Sequence, residues 1–342
     1  MFDQSIQRVG FACKYVQADR AMHKKLIEAE ERTYNGRSTT KAWLNRQTAQ
    51  VAEERMHDIV NDNITSFAKL IEYVGALDPG LRMLRLGSDV LPMFTEPTWS
   101  KFYTADVISN IERKLATVGA RARELDVKLS MHPGQFTVLA SDNDDIVAKS
   151  IEEFEYHVFV ARSMGYGKEF QDFKINVHIS GRRGPAGIKA ALKRLSPEAR
   201  NTITIENDEN KWGISDSLEL EKDCALVLDV HHHWCREGEY LQPTDDRYKR
   251  VIDSWRGVRP SLHYSVSRED LLVDHCANTL PDKGMLLEQG YKKGKLRAHS
   301  DYMWNQSVND YVLGFWPTAD IMVESKMKNL ASIQLYEYLK QN

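Results

Sequence analysis

The sequence is poor in cysteine and has no CxxC pair, no long apolar run and no strong charge of one sign. Its four cysteines, Cys13, Cys224, Cys235 and Cys276, lie far apart, and the first two fall in apolar runs where buried, reduced thiols are expected. A reducing, cytoplasmic environment is therefore predicted. No stretch approaches the roughly 20 apolar residues of a membrane span. The start, MFDQSIQRVGFACK, lacks the basic-then-apolar pattern of a secretory signal.

The charge balance gives no general electrostatic case for binding nucleic acid. The 46 basic and 49 acidic residues leave a formal net charge of −3, so attraction to phosphate must come from a local patch. A hydrophobic content of 42% with 28% charged residues is typical of a folded globular protein. A length of 342 residues allows two ordinary domains or one large α/β barrel.

Short runs rich in aliphatic and β-branched residues recur between longer helical patterns. Because each run is apolar on both faces, it is typical of a strand in a parallel sheet covered by helices. The eight runs are RVGFACK (8–14), LRMLRLGS (81–88), VKLSMH (127–132), FKINVHIS (173–180), NTITIEN (201–207), CALVLDV (224–230), RPSLHYS (259–265) and TADIMVES (318–325). Helices are predicted at 51–77, 105–125, 145–165, 186–196, 215–223, 243–255 and 326–340.

Strands that alternate with helices, without a Ser-, Gly- or Pro-rich linker, predict one α/β domain, a (β/α)8 TIM barrel, over residues 1–342. A doubly wound open sheet is the alternative, but no GxGxxG motif follows the first strand. Two segments, 15–48 and 266–317, exceed what a minimal barrel needs and are predicted to be long loops at its rim.

Ionisable side chains lie at the ends of six successive predicted strands. In a barrel the carboxyl ends of the strands converge on one rim, where barrel enzymes have their active sites. A lone strand histidine is more often a satisfied core group, and a lone carboxylate often caps the next helix. Burying many ionisable groups together is costly without a cation, so the repetition favours a metal cluster. The residues are His132, His178, Glu206, Asp229 with His232, His263 and Glu324, together with His299 from the segment before the last strand.

Imidazoles and carboxylates in combination are ligands for zinc, manganese or iron, and a bridging carboxylate such as Glu206 would let two cations lie side by side. The spacing of Asp229 and His232 would let both reach one cation, whereas His231 and His233 should point elsewhere. Paired cations suit phosphodiester hydrolysis, because they stabilise both the attacking and the leaving oxygen. Sugar isomerases of the same fold are an alternative, although their sites contain fewer histidines. Amidohydrolase barrels usually have HxH after strand one, where this chain has FACKY.

Several motifs, taken in order, resemble the signature of the UV damage endonucleases, a family similar in fold and metal site to endonuclease IV. They are MHPGQF (131–136), NVHISG (176–181), TIEN (204–207), LDVHHH (228–233), LHYS (262–265), AHSDY (298–302) and MVESK (322–326). The resemblance runs from VGFACKY to ESKMK, and the pair HPGQ and AHSDY is far more specific than any single histidine motif.

The resemblance implies a metal-dependent DNA repair endonuclease that nicks double-stranded DNA immediately 5′ to UV photoproducts, with some activity at abasic sites. It implies two or three divalent ions, usually Mn2+, with Zn2+ or other ions as alternatives. The same eight residues would be the ligands, and Glu206, Asp229, His263 and Glu324 would be the catalytic set. Some family members have a modified lysine where this chain has Ser261, which leaves the number of cations open.

The resemblance also implies side chains that probe the duplex at the lesion, namely Gln135 and Phe136 after the HPG turn, and Phe11 and Tyr15 after strand one. The sharp turn could project Gln135 and Phe136 beyond the rim, where a planar ring could replace lost base stacking. The alternative for Phe136 is a loop aromatic folded onto the core. Family members commonly have tyrosine in place of Phe136 and asparagine in place of Tyr15.

Local basic groups could supply the attraction to phosphate that the net charge lacks. Charge runs are usually solvated faces, but two that adjoin one metal cluster favour binding of double-stranded DNA. A monomer is the expected state for a rim that must grip a duplex. The predicted phosphate-binding residues are Arg182 and Arg183, which follow His178, and Lys292, Lys293, Lys295 and Arg297, which precede His299.

Four functions follow from these patterns, of which a lesion-specific endonuclease is favoured. The others are an endonuclease that prefers abasic sites, a metal-dependent sugar isomerase or epimerase with no role on DNA, and a non-catalytic binding module. Damage-dependent nicking of an irradiated duplex separates the first function from the others. An abasic duplex separates the second from the third.

Overall fold

Eight short parallel strands form one sheet in the computed structural model, which describes residues 2–342. Each strand lies within one predicted run, and nearly all strand residues are buried, as expected for a sheet covered by helices. The strands are β1 (Val9–Ala12), β2 (Met83–Arg85), β3 (Lys128–Met131), β4 (Lys174–His178), β5 (Ile203–Glu206), β6 (Ala225–Val227), β7 (Ser261–Tyr264) and β8 (Asp320–Val323).

The strand order closes this sheet almost completely into a cylinder. β1 pairs with both β2 and β8, and the remaining neighbours follow chain order, to β6 on one side and to β7 on the other. β6 and β7 meet at an isolated parallel bridge between Asp229 and His263, where His263 N donates to the carbonyl of Leu228 at 3.0 Å. The predicted (β/α)8 TIM barrel is confirmed, and its seam lies at Asp229 and His263.

Helices cover the outside of the barrel, and each predicted helical segment overlaps one. They are α1 (Lys24–Tyr34), α2 (Lys41–Leu44), α3 (Ala49–Gly75), α4 (Ala105–Glu124), α5 (Asp144–Ser163), α6 (Gly184–Leu192), α7 (Pro197–Thr202), α8 (Ile214–Ser217), α9 (Val230–Glu237), α10 (Asp246–Asp253), α11 (Lys283–Glu288), α12 (Lys293–Leu296), α13 (Gln306–Leu313) and α14 (Lys328–Gln341). Thr48, Thr104 and Asn143 accept hydrogen bonds from first-turn amides of α3, α4 and α5, so local sequence sets where these helices begin. The segment predicted at 215–223 is only α8 and a following 3-10 turn.

Helix α9 carries the three consecutive histidines and starts at Val230, three positions after the last residue of β6. Asp229 caps it by accepting a hydrogen bond from His232 N at 2.7 Å. Gly238 ends it in a left-handed conformation, with a φ of 80°, which glycine adopts without strain. The helix therefore fans the three imidazoles out in different directions.

The two segments predicted as long loops contain helices of their own, α1 and α2 in 15–48 and α11 to α13 in 266–317. The second segment also has a small apolar core, in which Leu272, Leu286 and Leu296 pack with Trp234 and Cys235 of α9. Both segments are thus structured parts of the rim. Among residues 2–342, no helix is long and apolar enough to cross a bilayer.

Candidate metal centre

Four ionisable side chains meet at the carboxyl ends of the strands, beside the seam between β6 and β7. Glu206 ends β5, Asp229 follows β6, His263 lies in β7 and Glu324 follows β8. Glu206, Asp229 and His263 are fully buried and offer ligand atoms that lie within 4.8 Å of one another. His263 Nδ1 lies 3.1 Å from Glu206 Oε1 and 3.3 Å from Glu324 Oε1. We call these four residues the inner group.

Three members of the inner group each have one polar atom without a hydrogen-bond partner. Within residues 2–342, Glu206 Oε1, Asp229 Oδ2 and His263 Nδ1 are buried and make no hydrogen bond, although His263 Nδ1 lies near Glu206 Oε1. Leaving a buried polar atom unpaired costs roughly 1–3 kcal/mol, so three such atoms around one space need a stabilising partner. Two carboxylates and an imidazole are suitable ligands for a divalent cation, so these residues fit a metal ion.

The other atoms of the same carboxylates are held by the protein. Glu206 Oε2 accepts a hydrogen bond from the Asn176 side-chain amide, and Thr204 Oγ1 donates to Asn176 Oδ1 at 2.7 Å. Asp229 Oδ1 accepts from the backbone of His232 at the start of α9. These hydrogen bonds fix the orientation of each carboxylate while leaving its second oxygen open.

His132 and His178 extend the cluster away from the seam, with Glu206 as the shared residue. His132 Nε2 and His178 Nε2 lie 3.5 and 3.9 Å from Glu206 Oε2. His132 Nδ1 lies 2.8 Å from the carbonyl of Pro133, so its proton is donated there and the lone pair of Nε2 faces Glu206. Because Glu206 belongs to both sets, its carboxylate could bridge two cations.

His232 belongs to a third set, with His178 and Glu209. Its Nδ1 lies 3.0 Å from the carbonyl of Asn207, which leaves the lone pair on Nε2, 4.0 Å from Glu209 Oε2. Asp229 Oδ2 lies 3.8 Å from Nδ1, on the other side of the ring. The structure thus directs Nε2 of His232 toward Glu209, and the sharing of one cation by Asp229 and His232 stays a prediction.

The remaining histidines lie at the edge of the cluster. His299 Nδ1 lies 2.6 Å from the backbone carbonyl of Glu324, but His299 is in none of the three close sets within residues 2–342. His231 stacks on an indole ring of its own helix, and His233 Nε2 lies 3.1 Å from Glu239. His231 and His233 thus point away from the inner group, as their spacing predicted.

Burial and neighbouring charges shift the pKa values of the cluster. Burial raises the pKa of Glu206, but nearby histidines, His263 first, outweigh it and hold that pKa well below its ordinary value. Burial raises the pKa of Asp229 to about 7 and lowers that of His263 to about 4. Burial alone would lower the pKa of His232, but the surrounding carboxylates, Asp229 first, raise it to about 9. Near neutral pH, Glu206 is charged and His263 neutral, which are the states that bind a metal.

Sequence reasoning missed three charged residues of the site. Arg85, at the end of β2, pairs with Glu324 Oε1, and both side chains are largely buried. Lys174, at the start of β4, places Nζ 2.8 Å from His263 Nε2, and burial lowers the pKa of this lysine to about 7. Arg85 has the same strand-end position as the predicted ligands, but a guanidinium cannot bind a metal ion, so a pattern of ligand types does not include it. The third missed residue, Glu209, follows β5.

The turn after β3 projects two side chains into solvent. Thr137 N donates to the carbonyl of Gly134 at 2.9 Å, and Gln135 and Phe136 between them are exposed. The Phe136 side chain is 86% exposed, so it is not folded onto the core. An exposed aromatic ring at the rim is available to contact another molecule.

The lesion-probing role predicted for Phe11 and Tyr15 is not supported by their positions. Phe11 is 1% exposed and belongs to the main core. Tyr15 is 8% exposed, its ring packs against Tyr34, and its hydroxyl bonds to Glu30 of α1 at 3.1 Å. We correct the prediction for both residues, because Phe11 lies in the main core and helix α1 covers Tyr15.

The predicted phosphate-binding residues differ in how freely they can contact DNA. Lys292, Lys293 and Lys295 are exposed at α12 and, within residues 2–342, form no ion pair with a carboxylate. The three arginines are partly neutralised, with Arg182 at 3.4 Å from Asp142, Arg183 at 3.2 Å from Asp144 and Arg297 at 3.0 Å from Glu209.

Comparisons with known proteins agree over nearly the whole chain. A family model described as UV-endonuclease UvdE matches residues 7–342. The UV DNA damage endonuclease of Bacillus velezensis is 24% identical over 306 residues, which cover 84% of this chain and 83% of that protein. The UV-damage endonuclease of Schizosaccharomyces pombe is 27% identical over 349 residues, which cover 96% of this chain and 50% of that protein. The crystal structure of SacUVDE has the same fold, with a TM-score of 0.72 at 20% identity over 98% of both chains.

Proposed function

The chain belongs to the UV-endonuclease UvdE family, and on that basis we propose that it nicks double-stranded DNA immediately 5′ to UV photoproducts, both pyrimidine dimers and 6-4 photoproducts. The observation that carries the proposal is the inner group, in which three buried metal-ligand atoms make no hydrogen bond and their residues form a close ligand set. Such a cluster suits phosphodiester hydrolysis, whereas binding alone has no need of it. We propose Mn2+ as the cofactor, as two or three ions, with Zn2+ or other divalent ions as alternatives.

The inner group would hold one cation, and His132 and His178 would hold a second, with Glu206 common to both. Divalent cations at these positions supply charge that stabilises the attacking and leaving oxygens and favours ionisation of water. The Asn176 amide keeps Glu206 aligned for this shared role. Burial would raise the pKa of Glu324, and Arg85 holds it well below its ordinary value, so this carboxylate stays ionised.

Gln135 and Phe136 would contact the duplex at the damaged step. Their turn follows β3, on the same rim as the cluster, and the Phe136 ring is free to stack. A photoproduct stacks and pairs less well than an intact step, so moving it out of the helix costs less. Stacking on an aromatic side chain is worth about 1–3 kcal/mol per base, which would offset part of that cost.

Lys292, Lys293 and Lys295 would contact the DNA backbone, because they lie before His299 on the same rim and have no acidic partner among residues 2–342. Arg182, Arg183 and Arg297 would have to exchange a carboxylate for a phosphate. One chain carries the cluster, the exposed turn and the basic residues together, so we propose that the active unit is a monomer.

A nicking assay on a duplex with one defined photoproduct tests this function. Protein stripped of metal should be inactive, and added Mn2+ should produce a single cut immediately 5′ to the lesion, with chelator abolishing it again. The undamaged duplex is the control, and an abasic duplex tests for the second activity. A lack of nicking at the photoproduct with Mn2+ would overturn the proposal, and cutting of the abasic duplex alone would favour the endonuclease that prefers abasic sites.

A further inference from the structure

Glu209 lies between the metal cluster and a basic residue of the rim. It follows β5, three positions after Glu206, and its side chain is 20% exposed. Glu209 Oε2 lies 4.0 Å from His232 Nε2, while Glu209 Oε1 lies 3.0 Å from Arg297 Nη1. One carboxylate thus faces an imidazole with one oxygen and a guanidinium with the other.

The imidazole side of this contact has the properties of a ligand. The His232 side chain is 9% exposed, and its Nδ1 proton is donated to the carbonyl of Asn207 at 3.0 Å. Nε2, which faces Glu209, is therefore the nitrogen that a cation could bind after displacing its proton. His178 brings a third ligand atom within 4.8 Å of the other two. Histidine nitrogens with one carboxylate oxygen are a common ligand set for divalent transition metals.

The positive charge of Arg297 is balanced by Glu209, so the pair has no net charge that would attract a phosphate. Arg297 Nη1 donates to Glu209 Oε1 and to Asn210 Oδ1, the latter at 2.6 Å. A phosphate approaching Arg297 would meet the charge of Glu209 as well, which opposes binding. A divalent cation beside Glu209 would reverse this balance, because it adds positive charge next to the neutral Glu209–Arg297 pair even after His232 gives up its proton.

We propose that Glu209 is a ligand of an outer cation, together with His232 Nε2 and, when it is not bound to the cation shared with Glu206, His178. Binding of this cation makes Arg297 available to a DNA phosphate, so cation binding and duplex binding favour each other. This inference rests on the proposed function for its DNA partner. Its metal site can be tested without any cleavage, so the two can fail separately.

Glu239 provides a matched control for Glu209. It too lies between a histidine of α9 and an arginine, with Glu239 Oε1 at 3.1 Å from His233 Nε2 and 2.9 Å from Arg247 Nη1. It is in none of the close ligand sets found among residues 2–342. Replacing either glutamate by glutamine removes one charge from a His–Glu–Arg arrangement, and only Glu209 should change metal binding.

The test is titration of metal-stripped protein with Mn2+, followed by calorimetry and by the electron paramagnetic resonance signal of free Mn2+. We expect E209Q to lose one ion or bind it at least tenfold more weakly, and E239Q to match the wild type. We expect R297Q to bind that ion more tightly, because the competing guanidinium is gone. A gain of affinity on changing the same contact cannot be explained by misfolding, so R297Q supports the metal site even if E209Q folds poorly. Wild-type stoichiometry and affinity in E209Q, or an equal loss in E239Q, would overturn the metal site.

The coupling to DNA is measured by fluorescence anisotropy of an undamaged duplex with and without Mn2+. Mn2+ should tighten binding several-fold in the wild type, and much less in E209Q and in R297Q. If E209Q loses the ion but all three proteins respond equally to Mn2+, the coupling through Arg297 is wrong and the metal site stands. Nicking by the wild type is scored separately and decides only the proposed function.

Discussion

The two ends of the barrel both contain buried charges, but they differ in whether the buried carboxylates are satisfied. At the amino end of the strands, Asp320 Oδ1 accepts hydrogen bonds from Arg8 N and Arg259 Nε, and Oδ2 lies 2.8 Å from Lys128 Nζ. At the carboxyl end, Glu206 and its neighbours each keep one buried atom unpaired. Both carboxylate oxygens of Asp320 thus have protein partners, whereas Glu206 and Asp229 each keep one oxygen without a hydrogen bond.

This difference separates a structural role from a functional one. A buried ion pair is tolerated when hydrogen bonds satisfy every remaining atom, and its loss is costly mainly because a charge is left alone. A buried polar atom without a hydrogen-bond partner instead indicates a place for an ion, a ligand or a reaction. We call the amino end of the strands the closed end and the carboxyl end the open end. The closed end should therefore control stability, and the open end should control metal binding and activity.

The largest expected effect is that of Glu206→Gln at the open end. Glutamine keeps the shape and the hydrogen bond from Asn176 but removes the charge that two cations would share. We expect nicking in single turnover to fall at least about 10³-fold, or ~4 kcal/mol in activation free energy. The free energy of unfolding, measured with urea, should be unchanged or higher. Strong destabilisation with normal nicking would erase the distinction between the two ends.

The next effect is that of Asp320→Asn at the closed end. It leaves Lys128 and Arg259 without their counter-charge in a buried environment, so we expect the free energy of unfolding to fall by about 3 kcal/mol. Urea unfolding measures this loss. Mn2+ stoichiometry and nicking per folded molecule should match the wild type, and a loss of either would mean that the ends are not independent.

The open end should also respond to pH, because metal binding must displace protons from its ligands. His232 has a pKa raised to about 9 and Asp229 a pKa raised to about 7, so both hold protons in the metal-free protein below those values. We expect the summed Mn2+ affinity to fall about tenfold per pH unit from 9 to 7 and more steeply below 7. Calorimetry in buffers of different ionisation enthalpy would count the released protons. An affinity that is constant from pH 6 to pH 9 would contradict this.

The barrel and most of the rim residues could be predicted because both depend on local pattern. Runs such as FKINVHIS are short and apolar on both faces, and a polar residue at the end of such a run has only the rim to occupy. Glu206 and His263 could therefore be assigned to one place without knowing the barrel's dimensions. Helix α9 also has its end signals in the sequence, with Asp229 before its first residue and Gly238 after its last.

What could not be predicted depends on contacts across the barrel or over its rim. Lys174 meets His263 from a strand three places away in the chain, and no local pattern pairs them. The burial of Tyr15 depends on how α1 packs against it, in a segment whose weak periodicity predicts no helix. The direction of the His232 ring depends on the hydrogen bond to Asn207, which forms only once the loop after β5 is in place.

The smallest expected effect comes from replacing Lys292, Lys293 and Lys295 by alanine, which tests whether DNA contacts only the open end. Each lysine that neutralises a phosphate contributes about 0.9 to the slope of log affinity against log salt, so the slope should fall by about 2 to 3. Duplex affinity near physiological salt should drop about tenfold, as measured by anisotropy, while nicking at saturating DNA is retained.

The matched control replaces Lys168, Lys193 and Lys222, exposed lysines in the connections that precede β4, β5 and β6 at the closed end. Because the two triple variants lose the same charge, a difference between them reports position and not net charge. Equal weakening in both, or unchanged binding of the first at every salt concentration, would show that the duplex does not select the rim through these lysines.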